Sequence, residues 1–129
     1  MITIDEIRAH CLSKPGAWED LPFDDVTMTV KVGKKIFAII STDSDPGKLS
    51  LKCKPMWSRS LREDFKDINP GYHLNQKHWN TVTLTGSIED EIIKNMIDHS
   101  WELVFEGLTK SEQQRVERSA KRKASLSNE

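Results

Sequence analysis

Residues 26–40 constrain this chain more than any other stretch. Val26, Met28, Val30 and Val32 alternate with Thr27, Thr29 and Lys31, the two-residue period of a strand with one wet face. Gly33-Lys34 then supplies a two-residue turn, and the return strand Lys35 to Ser41 contains the longest apolar run of the sequence, Ile36-Phe37-Ala38-Ile39-Ile40. A hairpin with one strand apolar on both faces must be covered. The rest of the chain is therefore expected to supply more strands and a layer of amphipathic helices. The run is far short of the ~20 apolar residues of a membrane span, and Asp5 and Glu6 spoil a signal-peptide start. No membrane association and a cytoplasmic location are expected.

Asp43-Ser44-Asp45-Pro46-Gly47 is a turn cluster, so a third antiparallel strand is expected at Leu49 to Cys53. Trp79 to Thr85 reads as a fourth, with Asn80, Val82 and Leu84 alternating against threonines. Thr3-Ile4-Asp5-Glu6 has the form of a capping box and predicts a first helix to about Lys14, where Pro15-Gly16 stops it. Pro55 suits the first turn of a second helix whose buried stripe is Trp57, Leu61, Phe65 and Ile68. Ser87 and Asp90 form another capping signature ahead of a third helix that buries Ile93, Ile97, Trp101, Val104 and Leu108. The fold class predicted is α+β: an antiparallel sheet of four or more strands with helices packed chiefly on one face. Residues 1–109 form that domain. Residues 110–129 read as a basic tail, a frayed helix or disordered, outside the core.

The 129 residues suffice for one core and leave no room for a second full domain. Cys11 and Cys53 have no paired Cys-x-x-Cys spacing, so free thiols are expected, with Cys53 buried in phase with Leu49 and Leu51. The net charge is −1, but it is unevenly spread: −2 over residues 1–51, +3 over 52–80, −5 over 81–109 and +3 over 110–129. Where cations gather matters more than the total.

Two constellations carry the candidate chemistry. On a helical wheel Arg59, Arg62 and Lys66 fall together, away from Glu63, Asp64 and Asp67, and Lys52 and Lys54 extend the same field toward phosphates. The alternative is a solvated face. Then Tyr72-His73-Leu74-Asn75-Gln76-Lys77-His78-Trp79-Asn80 packs imidazole, amide, aromatic and ammonium groups into nine positions, a mixture that suits bases and phosphates. The structural alternative has Tyr72 and Trp79 filling core while the His and Asn side chains bond the loop backbone. His73 and His78 lack a third local ligand, so no metal is expected. Glu19, Asp20, Asp24 and Asp25 are placed in a loop, His99 on the surface, and Glu89, Asp90 and Glu91 at a helix start. No Walker loop, dinucleotide fingerprint or nucleophile elbow appears, so no catalytic residue and no cofactor is assigned.

Ser50-Leu51-Lys52-Cys53, the long segment from Pro70 through Asn80 to Val82, and Asp98-His99-Ser100-Trp101 together resemble the MmcQ/YjbR family over residues 1–109. Gln76 stands where the family often has Lys, and Trp101 where it often has Tyr. The resemblance implies a frataxin-like (CyaY-like) two-layer fold, also compared with a double-wing module, and a DNA-binding function without established catalysis. The site expected from both readings comprises Lys52, Lys54, Arg59, Arg62, Lys66, His73, Asn75, Lys77, His78, Trp79 and Asn80, with DNA or other nucleic acid as ligand and a monomeric protein. The alternative is a small-ligand or protein-binding domain that uses the His73–Asn80 loop as a polar pocket. An enzyme ranks third.

Overall fold

The computed structural model describes residues 1–20, 26–71 and 74–127, the last five for their backbone alone. The chain runs α1 (Ile4–Leu12), β1 (Ala17–Asp20), β2 (Thr27–Val32), β3 (Lys35–Ser41), β4 (Lys48–Lys52), α2 (Pro55–Asp64), β5 (Ile68–Pro70), β6 (Trp79–Thr83), α3 (Asp90–Glu106) and α4 (Lys110–Ser127). The six strands form one sheet in the order β1-β2-β3-β4-β6-β5, every pairing antiparallel. This is the predicted α+β class. Helices α1 and α3 lie on the sheet and bury Ile7, Cys11, Ile93, Met96, Ile97 and Val104 against Val30, Ala38, Ile40, Leu49, Leu51 and Val82.

The first capping box forms as expected: the Glu6 amide donates to Thr3 Oγ1 at 3.1 Å, and the Thr3 amide to Glu6 Oε1 at 3.2 Å. Strand β1 was not anticipated. Its four residues, Ala-Trp-Glu-Asp, have no alternation to read, yet they pair along β2 from Ala17↔Val32 to Asp20↔Thr29. Glu19 and Asp20 therefore stand on a strand rather than in a loop, each with a cation: Arg8 at 2.6 Å and Lys31 at 2.8 Å. Asp24 and Asp25 lie outside the described residues.

Three further expectations are corrected. Helix α2 ends at Asp64, because Phe65 turns to extended backbone and Ile68 pairs with Val82 as the first residue of β5. The stripe of Trp57, Leu61, Phe65 and Ile68 thus spans two elements. Asp67 fixes that break by accepting the Thr85 and Ser87 hydroxyls, each at 2.6 Å, which draw its carboxyl below the usual range. Ser87 is consequently not the cap of α3; Glu89 holds that position without a side-chain bond, and Asp90 and Glu91 face the positive end of the helix dipole.

The third correction concerns the tail. α4 is a regular helix opened by Thr109, whose Oγ1 accepts the Glu112 amide at 3.1 Å and whose hydroxyl donates to Glu112 Oε1 at 3.2 Å. Gln113 Nε2 donates to the Phe105 and Leu108 carbonyls at 3.1 and 3.3 Å, closing the C-terminal end of α3. Val116 is buried and joins the core. It packs on Gly16, where φ is +67° and a Cβ would come within 2.6 Å of Val116 Cγ1. Val116 and Leu126, ten residues apart, make no repeating apolar stripe in this polar helix, so the sequence carries little periodic signal.

Candidate functional site

The β3–β4 ladder pairs Ala38 with Leu51, and its register would next join Phe37 to Lys52. Those two groups do not meet. Ser100, fully buried on α3, stands between them: its hydroxyl donates to the Phe37 carbonyl at 2.5 Å and accepts from the Lys52 amide at 2.9 Å. Phe37 is also the extra residue where β3 slips against β2, between Val30↔Ala38 and Lys31↔Ile36, which turns its ring into the core. The strands part at this end, and a cleft of about 340 Å³ opens there.

Lys31, Lys34, Lys35 and Lys52 line the cleft, with Trp79 as an aromatic wall and Ile36, Leu103 and Val104 as apolar floor. Lys31 pairs with Asp20 at 2.8 Å and lies 5.2 Å from the centre of the Trp18 ring. Lys35 Nζ donates to the Gly107 carbonyl at 3.1 Å and so closes the end of α3. The ammonium groups of Lys34 and Lys52 have no carboxylate partner among the described residues. Two open cations beside an indole face can hold a phosphate and a planar ring.

Of the residues expected from sequence, Lys52 and Trp79 enter this cleft; most of the others build the loop that carries Trp79. Arg62 points inward rather than to solvent. Its Nε donates to Asn80 Oδ1 at 2.6 Å, and its Nη2 donates to the Gln76 and Trp79 carbonyls. Asn80 is fully buried, its Oδ1 also accepting from the Ser58 hydroxyl at 2.8 Å, so it cannot touch a base. Asn75 Oδ1 accepts the Lys77 amide, and its carbonyl accepts the His78 and Trp79 amides at 3.0 and 2.9 Å. The His78 carbonyl accepts from the Cys53 amide at 2.7 Å. Lys77 is exposed, and His73 lies outside the described residues.

The basic stripe is divided. Arg59 is exposed on α2, while Lys66 lies beyond its end. Lys54 is the N-cap of α2, and its amide donates to His99 Nε2 at 3.2 Å. His99 is accordingly half-buried rather than an ordinary surface residue; it meets the Trp57 ring edge-on at 4.7 Å between centres. Burial, and then the charge of Lys54, lowers its pKa, consistent with a neutral ring that accepts through Nε2. Burial pushes the Cys53 thiol up to about 11 and the Cys11 thiol up to about 12, so both stay protonated at neutral pH. Among the described residues no three His, Cys, Asp or Glu side chains gather as a metal site, and no helix is long and apolar enough to cross a membrane.

Lys31, Lys34 and Lys35 were missed because a −2 balance over residues 1–51 hides three lysines clustered in five positions. The available signal was that cluster itself, placed on a hairpin turn.

Residues 12–103 match the YjbR family model. The chain belongs to the YjbR family. YjbR of Escherichia coli K12 is 35% identical over 101 residues, covering 78% of this chain and 86% of that protein. YyaQ of Bacillus subtilis strain 168 is 27% identical over 117 residues, covering 80% and 98%. The crystal structure of Deinococcus radiodurans protein DR2400, a DUF419 domain, is similar with a TM-score of 0.82 and 39% identity, over 90% of this chain and 88% of that one. A Pseudomonas syringae protein of 23% identity gives 0.68 over 80% and 99%, a likeness of fold alone. Within this YjbR domain the four cleft lysines and Trp79 fall inside the matched segment, whereas α4 lies beyond it.

Proposed function

We propose that this YjbR domain is a non-catalytic nucleic-acid-binding module whose contact surface is the cleft between β3 and β4. The observation that carries the reading is the meeting of four lysines with Trp79 around one 340 Å³ opening. Cations neutralise phosphates and release their counterions, while an indole face stacks on any base without selecting among them. The apolar floor of Ile36, Leu103 and Val104 lowers the local dielectric beneath those charges and strengthens their attraction for an anion. Arg62 and Asn80 act one layer behind, holding the loop that positions Trp79.

This moves the interface from the α2 stripe to the hairpin end of the sheet. Binding of fluorescein-labelled oligonucleotides, followed by anisotropy at low salt, tests the assignment. Trp79→Ala and Lys52→Gln should each weaken binding at least fivefold, and Arg59→Gln should change it less than twofold. Weakening by Arg59→Gln with cleft variants unaffected would return the interface to α2. Absence of binding by the wild-type protein would end the nucleic-acid reading and direct attention to a small anionic ligand in the same cleft.

A further inference from the structure

A second cleft of about 350 Å³ lies between the β2–β3 turn and α4, lined by Trp18, Gly33, Lys34, Arg115, Val116 and neighbours. Lys34 lines both clefts. Register explains how they adjoin: Trp18 pairs with Lys31 and Lys31 with Ile36 on one side of the parted strands, and Lys52 pairs with Trp79 on the other, so a row across β1, β2 and β3 and a second across β4 and β6 flank the gap. Residues directly opposite on antiparallel strands share a face. Lys31, Ile36, Lys52 and Trp79 border the first cleft, and the Lys31 ammonium approaches the Trp18 ring, which carries the first row to the second cleft.

The combined lining holds five cations, the four lysines and Arg115, against one carboxylate, Glu112. A tryptophan stands toward each end. Trp18 is 45% exposed although its Nε1 is fixed on the Gly33 carbonyl at 2.9 Å, so a rigid indole is presented to solvent with its polar atom already satisfied. Four strand spacings separate β1 from β6 in the sheet order, about 20 Å. That is the length of about six stacked nucleotides at 3.4 Å each.

We propose that the two clefts form one track for a single strand of nucleic acid, with Trp79 and Trp18 stacking on bases toward its ends and Lys34 contacting phosphate at the junction. The inference rests on the nucleic-acid reading above and adds the strand form, the site length and the participation of Trp18 and α4. A duplex keeps its bases stacked inside and offers two separated indoles nothing to stack on; a single strand can turn its bases outward to both.

Oligo-dT of two, four, six, eight and ten nucleotides, together with a ten-base-pair duplex, separates the possibilities by anisotropy. Affinity should rise with length to about six nucleotides and then level, and the ten-mer should bind at least tenfold tighter than the duplex. Trp18→Ala should weaken the ten-mer at least fivefold, while Trp18→Phe, which keeps a ring, should restore most of the loss. Lys34→Glu, at an exposed turn, should weaken the ten-mer with the circular dichroism spectrum unaltered. Equal affinity for single strand and duplex, with Trp18→Ala without effect, would overturn the track and leave the single-cleft reading standing. No binding to any oligonucleotide would overturn both.

Discussion

The Ser100 hydroxyl and the Phe37 carbonyl are 2.5 Å apart, joined by a hydrogen bond that replaces a rung of the β3–β4 ladder. The same oxygen accepts from Lys52, so one small side chain from α3 satisfies two strands while keeping them apart. Ser100→Ala strands both backbone groups and should cost about 2–4 kcal/mol in urea unfolding. A cost under about 0.5 kcal/mol would show that the strands simply close on each other.

Arg62 should behave as a structural residue. Arg62→Gln removes charge-assisted bonds to Asn80 and to the carbonyls of Gln76 and Trp79, a loss of about 2–3 kcal/mol, and should speed amide exchange at His78 and Trp79. Its effect on the salt dependence of nucleic-acid binding should be small. A flattened salt slope with full stability would make Arg62 a phosphate contact instead.

The first turns of α4 belong to the folded domain. Val116→Ala should lower stability by about 1.5–3 kcal/mol, because it empties the space above Gly16. Gly16→Ala should be comparably harmful, through both the contact with Val116 and the positive φ. Unchanged thermal midpoints for both variants would return α4 to the status of an appended tail.

His99 predicts a pH dependence of known sign. Its pKa is lowered in the folded protein from an ordinary value of 6.5, so just below that pH the unfolded chain binds a proton that the native state does not. The contribution of the neutral ring is therefore complete above about pH 6.5 and declines as pH falls toward the folded value. His99→Gln keeps an acceptor for the Lys54 amide and should flatten stability against pH between 5 and 7. A wild-type curve with the same slope as the variant would contradict this.

The sequence made the architecture legible wherever a period repeated long enough: β2, β3, β4, β6 and the apolar face of α3. It hid β1 and β5, whose four and three residues acquire their conformation from pairing rather than from pattern. The site was half legible. Lys52 and Trp79 were named, but a helical wheel treated α2 as longer than it is and placed Arg62 on a solvent face. Loop composition set Asn80 among base-contacting groups, whereas its strand phase with Val82 already turned it inward, where it meets Ser58. The lysines of the β2–β3 hairpin and Trp79 line one cleft beside the Ser100–Phe37 bond, which joins residues 63 apart and is contained in no local pattern.

The salt dependence of oligonucleotide affinity tests the central claim most directly. Three to five phosphate contacts on a single strand predict a log–log slope of roughly −2 to −3.5. Replacing Lys34 and Lys52 together by Gln should flatten that slope by roughly 1.4, whereas replacing Arg59 and Lys66 together should leave it in place. A slope unchanged by the cleft pair, or flattened by the Arg59 and Lys66 pair alone, would contradict the account.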